Sequence, residues 1–102
     1  MEVIELTTDR FNAEVLECDK KVLVDFNADW CGPCQMIRPV LEDLAKNNDI
    51  KIVSVNVDSE EELASRYGVM SIPCLVLFNK GEEIGRSVGF KSKEELERFI
   101  GE

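Results

Sequence analysis

Two cysteines three residues apart, Cys31 and Cys34, stand among residues that favour thiol chemistry: Trp30 precedes them and Gly32-Pro33 separates them. Upstream, Val22-Leu23-Val24-Asp25-Phe26 is an apolar run rich in β-branched and aromatic residues, the mark of a buried strand. Downstream, Ile37, Val40, Leu41 and Leu44 recur at the spacing of one helical face, so a helix begins near the first cysteine. The pair therefore falls on the first turn of a helix that emerges from a strand. Backbone N–H groups there are unpaired and the helix dipole is positive, so a thiolate is stabilised and the thiol's pKa falls. An ordinary thiol, with a pKa of about 8.5, is only a few per cent thiolate at pH 7, and each unit of depression adds nearly tenfold. The three-residue step sets both sulfurs on one side of the turn, close enough to bond. Pro33 sacrifices no helical hydrogen bond and fixes the turn, while Gly32 leaves the approach to Cys31 open. The expectation is that Cys31 is the more exposed sulfur and the nucleophile, with Cys34 behind it as the resolving thiol.

Zinc sites use the same Cys-x-x-Cys spacing, but a structural zinc needs four ligands, usually from two such pairs. The remaining cysteines, Cys18 and Cys74, are isolated on different elements, which favours dithiol chemistry; both read as small hydrophobes of the interior. The chain has no histidine, which removes Cys-His and Ser-His catalysis and any histidine-containing metal site. Asp25 interrupts an otherwise apolar strand. It could face solvent, but its neighbours Val24 and Phe26 point to burial, and a desolvated carboxyl has a raised pKa and exchanges protons near neutrality.

The elements that must position these groups follow in order. Val3-Ile4-Glu5-Leu6 is a short strand, and Thr8 caps a helix that turns Phe11, Val15 and Leu16 inward. The central strand spans 21–27 and the cysteine-bearing helix about 31–47, with Pro39 inside it as a source of a kink. A strand over 50–57 follows, then a capping box, Ser59 with Glu62, opening a helix that ends at Gly68. Met70-Ser71-Ile72-Pro73 is a loop before a strand from Cys74 to Asn79; Asn79-Lys80-Gly81 turns it into a strand over 82–88. Ser92 and Glu95 make a second capping box, starting a helix that buries Leu96, Phe99 and Ile100. A right-handed crossover places strands 21–27 and 50–57 side by side and parallel, and the short turn makes the last two an antiparallel hairpin. The class is α/β: a mixed sheet with helices on both faces.

With 102 residues and 44% hydrophobic content, the expectation is a single domain, 1–102, with a core of its own. The net charge of −9, from 12 basic and 21 acidic residues, argues against nucleic acid or an anionic membrane as partner. The first residues carry neither a basic region nor a long apolar run, so no signal peptide or anchor is expected. No stretch approaches the ~20 apolar residues of a membrane span. The expected location is cytoplasmic, where thiols are kept reduced and such a pair is catalytic more often than structural.

Trp30-Cys31-Gly32-Pro33-Cys34 resembles the signature of the thioredoxin family, and the likeness extends past the motif. Asp25 stands at the family's buried acid, Pro39 at its mid-helix proline, Ser71-Ile72-Pro73 at its cis-proline loop, and Val88-Gly89 at the pair bordering its active surface. The resemblance covers the whole chain. It implies a thioredoxin fold, a five-stranded sheet in the order 1-3-2-4-5 flanked by four helices, with the reactive loop at the carboxyl end of a central strand. It also implies a general protein disulfide reductase and electron carrier with no bound cofactor. Cys31 and Cys34 would form the redox-active disulfide, and Asp25 beneath Cys34 would exchange its proton. Trp30 would cover the site, and Ile72, cis-Pro73 and Gly89 would help dock an extended substrate chain. The implied partners are disulfide-containing proteins and a flavin-dependent thioredoxin reductase, with the chain a monomer. An oxidant or isomerase, or a binding subunit with incidental thiols, are the alternatives. Three positions depart from the family pattern: Asn27 replaces an aromatic residue, Ser54 a lysine beside the buried acid, and Cys74 a threonine. Without that lysine, the expectation is that Asp25 has no nearby cation.

Overall fold

The computed structural model describes residues 2–101. Its strands are β1 (Val3–Glu5), β2 (Lys21–Asn27), β3 (Lys51–Asn56), β4 (Cys74–Asn79) and β5 (Glu82–Val88). They form one sheet in the order β1-β3-β2-β4-β5. The pairs β1/β3 and β2/β3 are parallel, whereas β2/β4 and β4/β5 are antiparallel. This is the expected mixed sheet and order. The helices are α1 (Gly32–Asn47), α2 (Glu61–Arg66) and α3 (Lys93–Gly101).

The fourth helical segment departs from the regular helix expected after Thr8. Thr8–Arg10 is a 3-10 turn and Asn12–Leu16 a wider π turn, closed by the Glu17 N–H on the Asn12 carbonyl at 2.9 Å. Thr7, not Thr8, holds the N-cap position, and Thr8 turns to α2 instead, its backbone N–H and its hydroxyl both donating to Glu60 Oε1 at 2.8 Å. The inward residues are nevertheless those expected: Phe11 and Val15 are fully buried and Leu16 packs beside them.

Both faces of the sheet are covered, and this is why β2, β3 and β4 read as nearly continuous apolar runs. Val22, Val24, Phe26, Val53, Val55, Val76 and Phe78 form one core with Phe11, Val15 and Leu63. The alternate residues Leu23, Ile52, Leu75 and Leu77 meet Ile37, Leu41 and Leu44 of α1 and Leu96 and Ile100 of α3. On the first face Tyr67 stands edge-on to Phe78, with ring centroids 5.5 Å apart, and tilted against Phe11 at 5.4 Å. Asp25 lies on the α1 side, in register with Ser54 of β3 and Leu75 of β4.

The helix ends follow their residues unequally. At α3 the Ser92 N–H donates to Glu95 Oε1 at 2.9 Å and the Glu95 N–H donates to Ser92 Oγ at 3.2 Å, the reciprocal cap expected. At α2 the expected box does not form: Glu60 is the capping residue, with no side-chain cap bond. Ser59 instead turns its hydroxyl to the Asn56 carbonyl, while Asn56 Oδ1 takes the N–H groups of Asp58 and Ser59. An asparagine at the end of β3 has taken the Ser59 N–H that the Glu62 carboxylate was expected to accept. The carboxyl end of α2 closes as a Schellman motif, with Gly68 at φ +62, Gly68 N–H on the Ser65 carbonyl and Val69 N–H on that of Ala64. The β4–β5 turn places Lys80 and Gly81 both at positive φ, the twist a two-residue hairpin requires.

Candidate redox site

After β2 the chain turns so that the Cys31 N–H meets the Ala28 carbonyl at 3.2 Å, and α1 begins at Gly32. Cys31 is its N-cap, extended at φ −87 and ψ 111. Its sulfur accepts the Cys34 N–H at 3.2 Å, so one of the helix's unpaired donors points at this sulfur. Cys31 and Cys34 are joined as a disulfide across 5.2 Å between Cα atoms. Gly32 and Pro33, between them, are exposed.

As whole residues Cys31 and Cys34 are about equally enclosed, 4% and 5% exposed. Ala28, Val57 and Ile72 pack on both, because the strand end and the proline loop close over the helix terminus. Cys31 Sγ lies 3.8 Å from the Ile72 carbonyl oxygen, and the Ile72–Pro73 bond is cis. The Gly89 N–H donates to the Pro73 carbonyl at 2.8 Å, with Gly89 at φ +90, so the end of β5 is tied to this loop. Trp30 stands beside the pair, 71% exposed, its Nε1–H on Asp58 Oδ2 at 2.9 Å. Met70, at 94% exposed, together with Met36, Val88 and Phe90, leaves further large apolar side chains open to solvent.

Asp25 lies below this surface. It is 1% exposed, and its Oδ1 has no hydrogen-bond partner among the described residues. Oδ2 accepts only a long 3.4 Å bond from Asn27 Nδ2, which makes shorter bonds to the Asp25 carbonyl and to Ser54 Oγ at 2.9 and 2.7 Å. The two departures from the family pattern thus complete each other, since Asn27 donates to the hydroxyl that replaces the lysine. Burial pushes the Asp25 carboxyl up to about 7; Arg38 acts against that rise, Glu5 adds to it and the Asn27 bond opposes it. A cavity of about 400 Å³ joins the acid to Cys34, lined by Asp25, Asn27, Ala28, Asp29, Cys34, Gln35 and Arg38.

Arg38 corrects the expectation that Asp25 has no nearby cation. The cation comes from α1, one turn beyond Cys34, and the sign that could have revealed it is that four-residue step along one helical face. The side chains of Cys18 and Cys74 stay apart from this centre. Both are free; Cys18 is half-buried, and Cys74 is buried in the core on the far face of the sheet, where desolvation raises its thiol pKa.

The sequence model of the family described as Thioredoxin matches residues 2–102. The chain belongs to the thioredoxin family. It is 47% identical over 102 residues to the thioredoxin of Bacillus subtilis, covering 98% of this chain and 96% of that protein. It is 44% identical over 101 residues to the bifunctional thioredoxin reductase/thioredoxin of Mycobacterium leprae, covering 97% of this chain and 22% of that one. A solved thioredoxin mutant from Halobacterium salinarum NRC-1 superposes with a TM-score of 0.91 at 40% identity, over 97% of this chain and 88% of that one. The chain is accordingly a protein-disulfide oxidoreductase that works by dithiol–disulfide exchange through Cys31 and Cys34. No helix among the described residues is long and apolar enough to cross a membrane.

Proposed function

We propose that the chain reduces protein disulfides with Cys31 as the attacking thiol, Cys34 as the resolving thiol and Asp25 as the proton acceptor. The observation that carries the assignment is the Cys34 N–H aimed at the Cys31 sulfur at the helix N-cap. Negative charge on that sulfur is met by a backbone donor and by the positive end of a 16-residue helix. Cys34 sits one turn in, on the cavity that it shares with Asp25.

In the reduced protein the Cys31 thiolate attacks one sulfur of a target disulfide, and the other target sulfur leaves as a thiolate. A mixed disulfide now links Cys31 to the target. Cys34 gives its proton to Asp25 and attacks the Cys31 sulfur; the second target thiolate departs and the Cys31–Cys34 disulfide remains. Two electrons have passed to the target. Its thiolates take up protons from solvent and from Asp25, which resets the acid. Gly32 and Pro33 keep the approach to Cys31 low and fixed. Trp30 gives the target a surface to rest on, while Ile72 presents backbone groups to its extended chain, on a loop that Pro73 and Gly89 hold in shape.

The oxidised pair then needs a donor. A flavin-dependent thioredoxin reductase is the class we infer, supported by the Mycobacterium leprae relative whose printed name joins the two activities. The chain needs no cofactor of its own for this cycle. We read residues 1–102 as one domain acting as a monomer in the cytoplasm, the compartment that keeps such a pair reduced. The test is trapping. Cys34→Ser should accumulate mixed disulfides with protein targets, since resolution is lost, and Cys31→Ser should form none. Wild-type rates of disulfide reduction in both variants would overturn the reading.

A further inference from the structure

The acid beneath Cys34 has an unusual setting in this chain. Ser54, opposite Asp25 on β3, brings no charge. The cation on the cavity wall is Arg38 of α1. Arg38 is itself held from two sides: its Nη2 donates to Glu5 Oε2 of β1 at 2.9 Å, and its Nε donates to Glu42 Oε2, one helical turn on, at 3.3 Å. An edge strand, the redox helix and the buried acid on the central strand are therefore connected through one guanidinium.

We propose that Arg38, held by Glu5 on the wall of the cavity that Asp25 and Cys34 share, is a positioning residue for the reaction: its charge there sets the pH at which Cys34 can hand over its proton. Arg38 favours the charged carboxylate, and Glu5, whose own carboxylate is paired with that guanidinium, opposes the charge. The other groups facing the acid are fewer. Asn27 donates to Oδ2, Ser54 is neutral, and Asp29 and Cys34 line the same cavity. Cys74, next to Leu75 on β4, lies on the opposite face of the sheet. Loss of Arg38 and loss of Glu5 break the same ion pair yet must move Asp25 in opposite directions. A structural role alone, as a clasp between β1 and α1, would move it the same way in both.

The inference rests on Asp25 as proton acceptor, so two readouts are needed. The first follows the carboxyl-carbon NMR resonance of Asp25 across pH in the disulfide form, where Cys31 and Cys34 do not titrate. Arg38→Met should move the Asp25 midpoint to higher pH and Glu5→Gln to lower pH, each by about half a unit or more. Arg38→Lys, which keeps the charge, should restore most of the Arg38→Met displacement. The second readout is single-turnover reduction of a model protein disulfide against pH, in which the acid limb should follow the NMR midpoints. Unmoved midpoints, or displacements of the same sign in Arg38→Met and Glu5→Gln, overturn the role of Arg38. Midpoints that move as stated while the rate profile stays fixed leave Arg38 in control of the carboxyl. That outcome overturns the use of Asp25 as the proton acceptor, and with it the catalytic consequence proposed for Arg38. Arg38→Lys and Glu5→Gln keep charge or shape, so the test does not depend on the fold tolerating Arg38→Met.

Discussion

At Asp25 burial lifts the carboxyl from 3.8 to about 7, so the fold favours the protonated form. The sign of the pH dependence follows. Below the unfolded pKa both states are protonated and the group costs nothing by linkage. As pH rises from that value through the folded one, the unfolded chain releases its proton more readily, and the protein loses stability to a plateau above both. A shift of this size corresponds to roughly 4 kcal/mol at the plateau. Asp25→Asn removes the ionisation but leaves a buried amide, so part of that figure is expected as a gain: about 1 to 3 kcal/mol at pH 8 and little near pH 4. Denaturant melts across pH measure it, and the same variant should slow target reduction near neutrality. Equal stability of wild type and Asp25→Asn at every pH would show that the carboxyl is not desolvated.

Two serines stand at the same place in the same sequence pattern, Ser59 before Glu62 and Ser92 before Glu95, yet only Ser92 forms a reciprocal cap. The difference lies in the element before each helix. Asn56 ends β3 three residues ahead of Ser59 and accepts the N–H groups of Asp58 and Ser59, whereas the Ser92 N–H is left to Glu95 Oε1. Ser92→Ala is therefore expected to cost about 1 kcal/mol of unfolding free energy, and Ser59→Ala only a few tenths. Chemical denaturation of the two variants side by side decides it; equal losses would return Ser59 to the role of a cap. Thr8 donates both its N–H and its hydroxyl to the Glu60 carboxylate, so Glu60→Gln, which removes the charge from that acceptor, should loosen the contact between the first turns and α2.

Across the whole molecule the two free thiols report on different kinds of opening. Cys74 is enclosed by the first-face core, and its thiol is held protonated by burial, whereas half-buried Cys18 packs only at that core's margin. Alkylation of the oxidised protein should modify Cys18 first. Cys74 should react at least about a hundredfold more slowly, since a thiol reached through an opening that costs about 3 kcal/mol is available only that rarely. Mild denaturant should narrow the gap, because Cys74 reads cooperative opening of the sheet. Rapid labelling of Cys74 in native buffer, mapped by mass spectrometry, would show that this core opens locally.

The sequence by itself determined the redox pair, the strand that leads into it and the helix that carries it. These depend on neighbours in the chain: a three-residue cysteine spacing, Pro33 in a first turn, an apolar stripe at Ile37, Leu41 and Leu44. The burial of Asp25 was legible for the same reason, from Val24 and Phe26 on either side. Strand order was not carried by periodicity and came instead from the family's markers. The family's markers set Ser54 beside the acid, but its bond from Asn27 and the pairing of Arg38 with Glu5 were decided by tertiary structure. Glu5, Arg38, Asn27 and Ser54 come from β1, α1, β2 and β3, and only the parallel stacking of β1, β3 and β2 beneath α1 brings them around one carboxyl. The near-equal burial of Cys31 and Cys34 was decided there too. The cover is Ile72 and Val57, residues 41 and 26 positions beyond Cys31, and no pattern within the helix encodes a neighbour delivered by a distant loop.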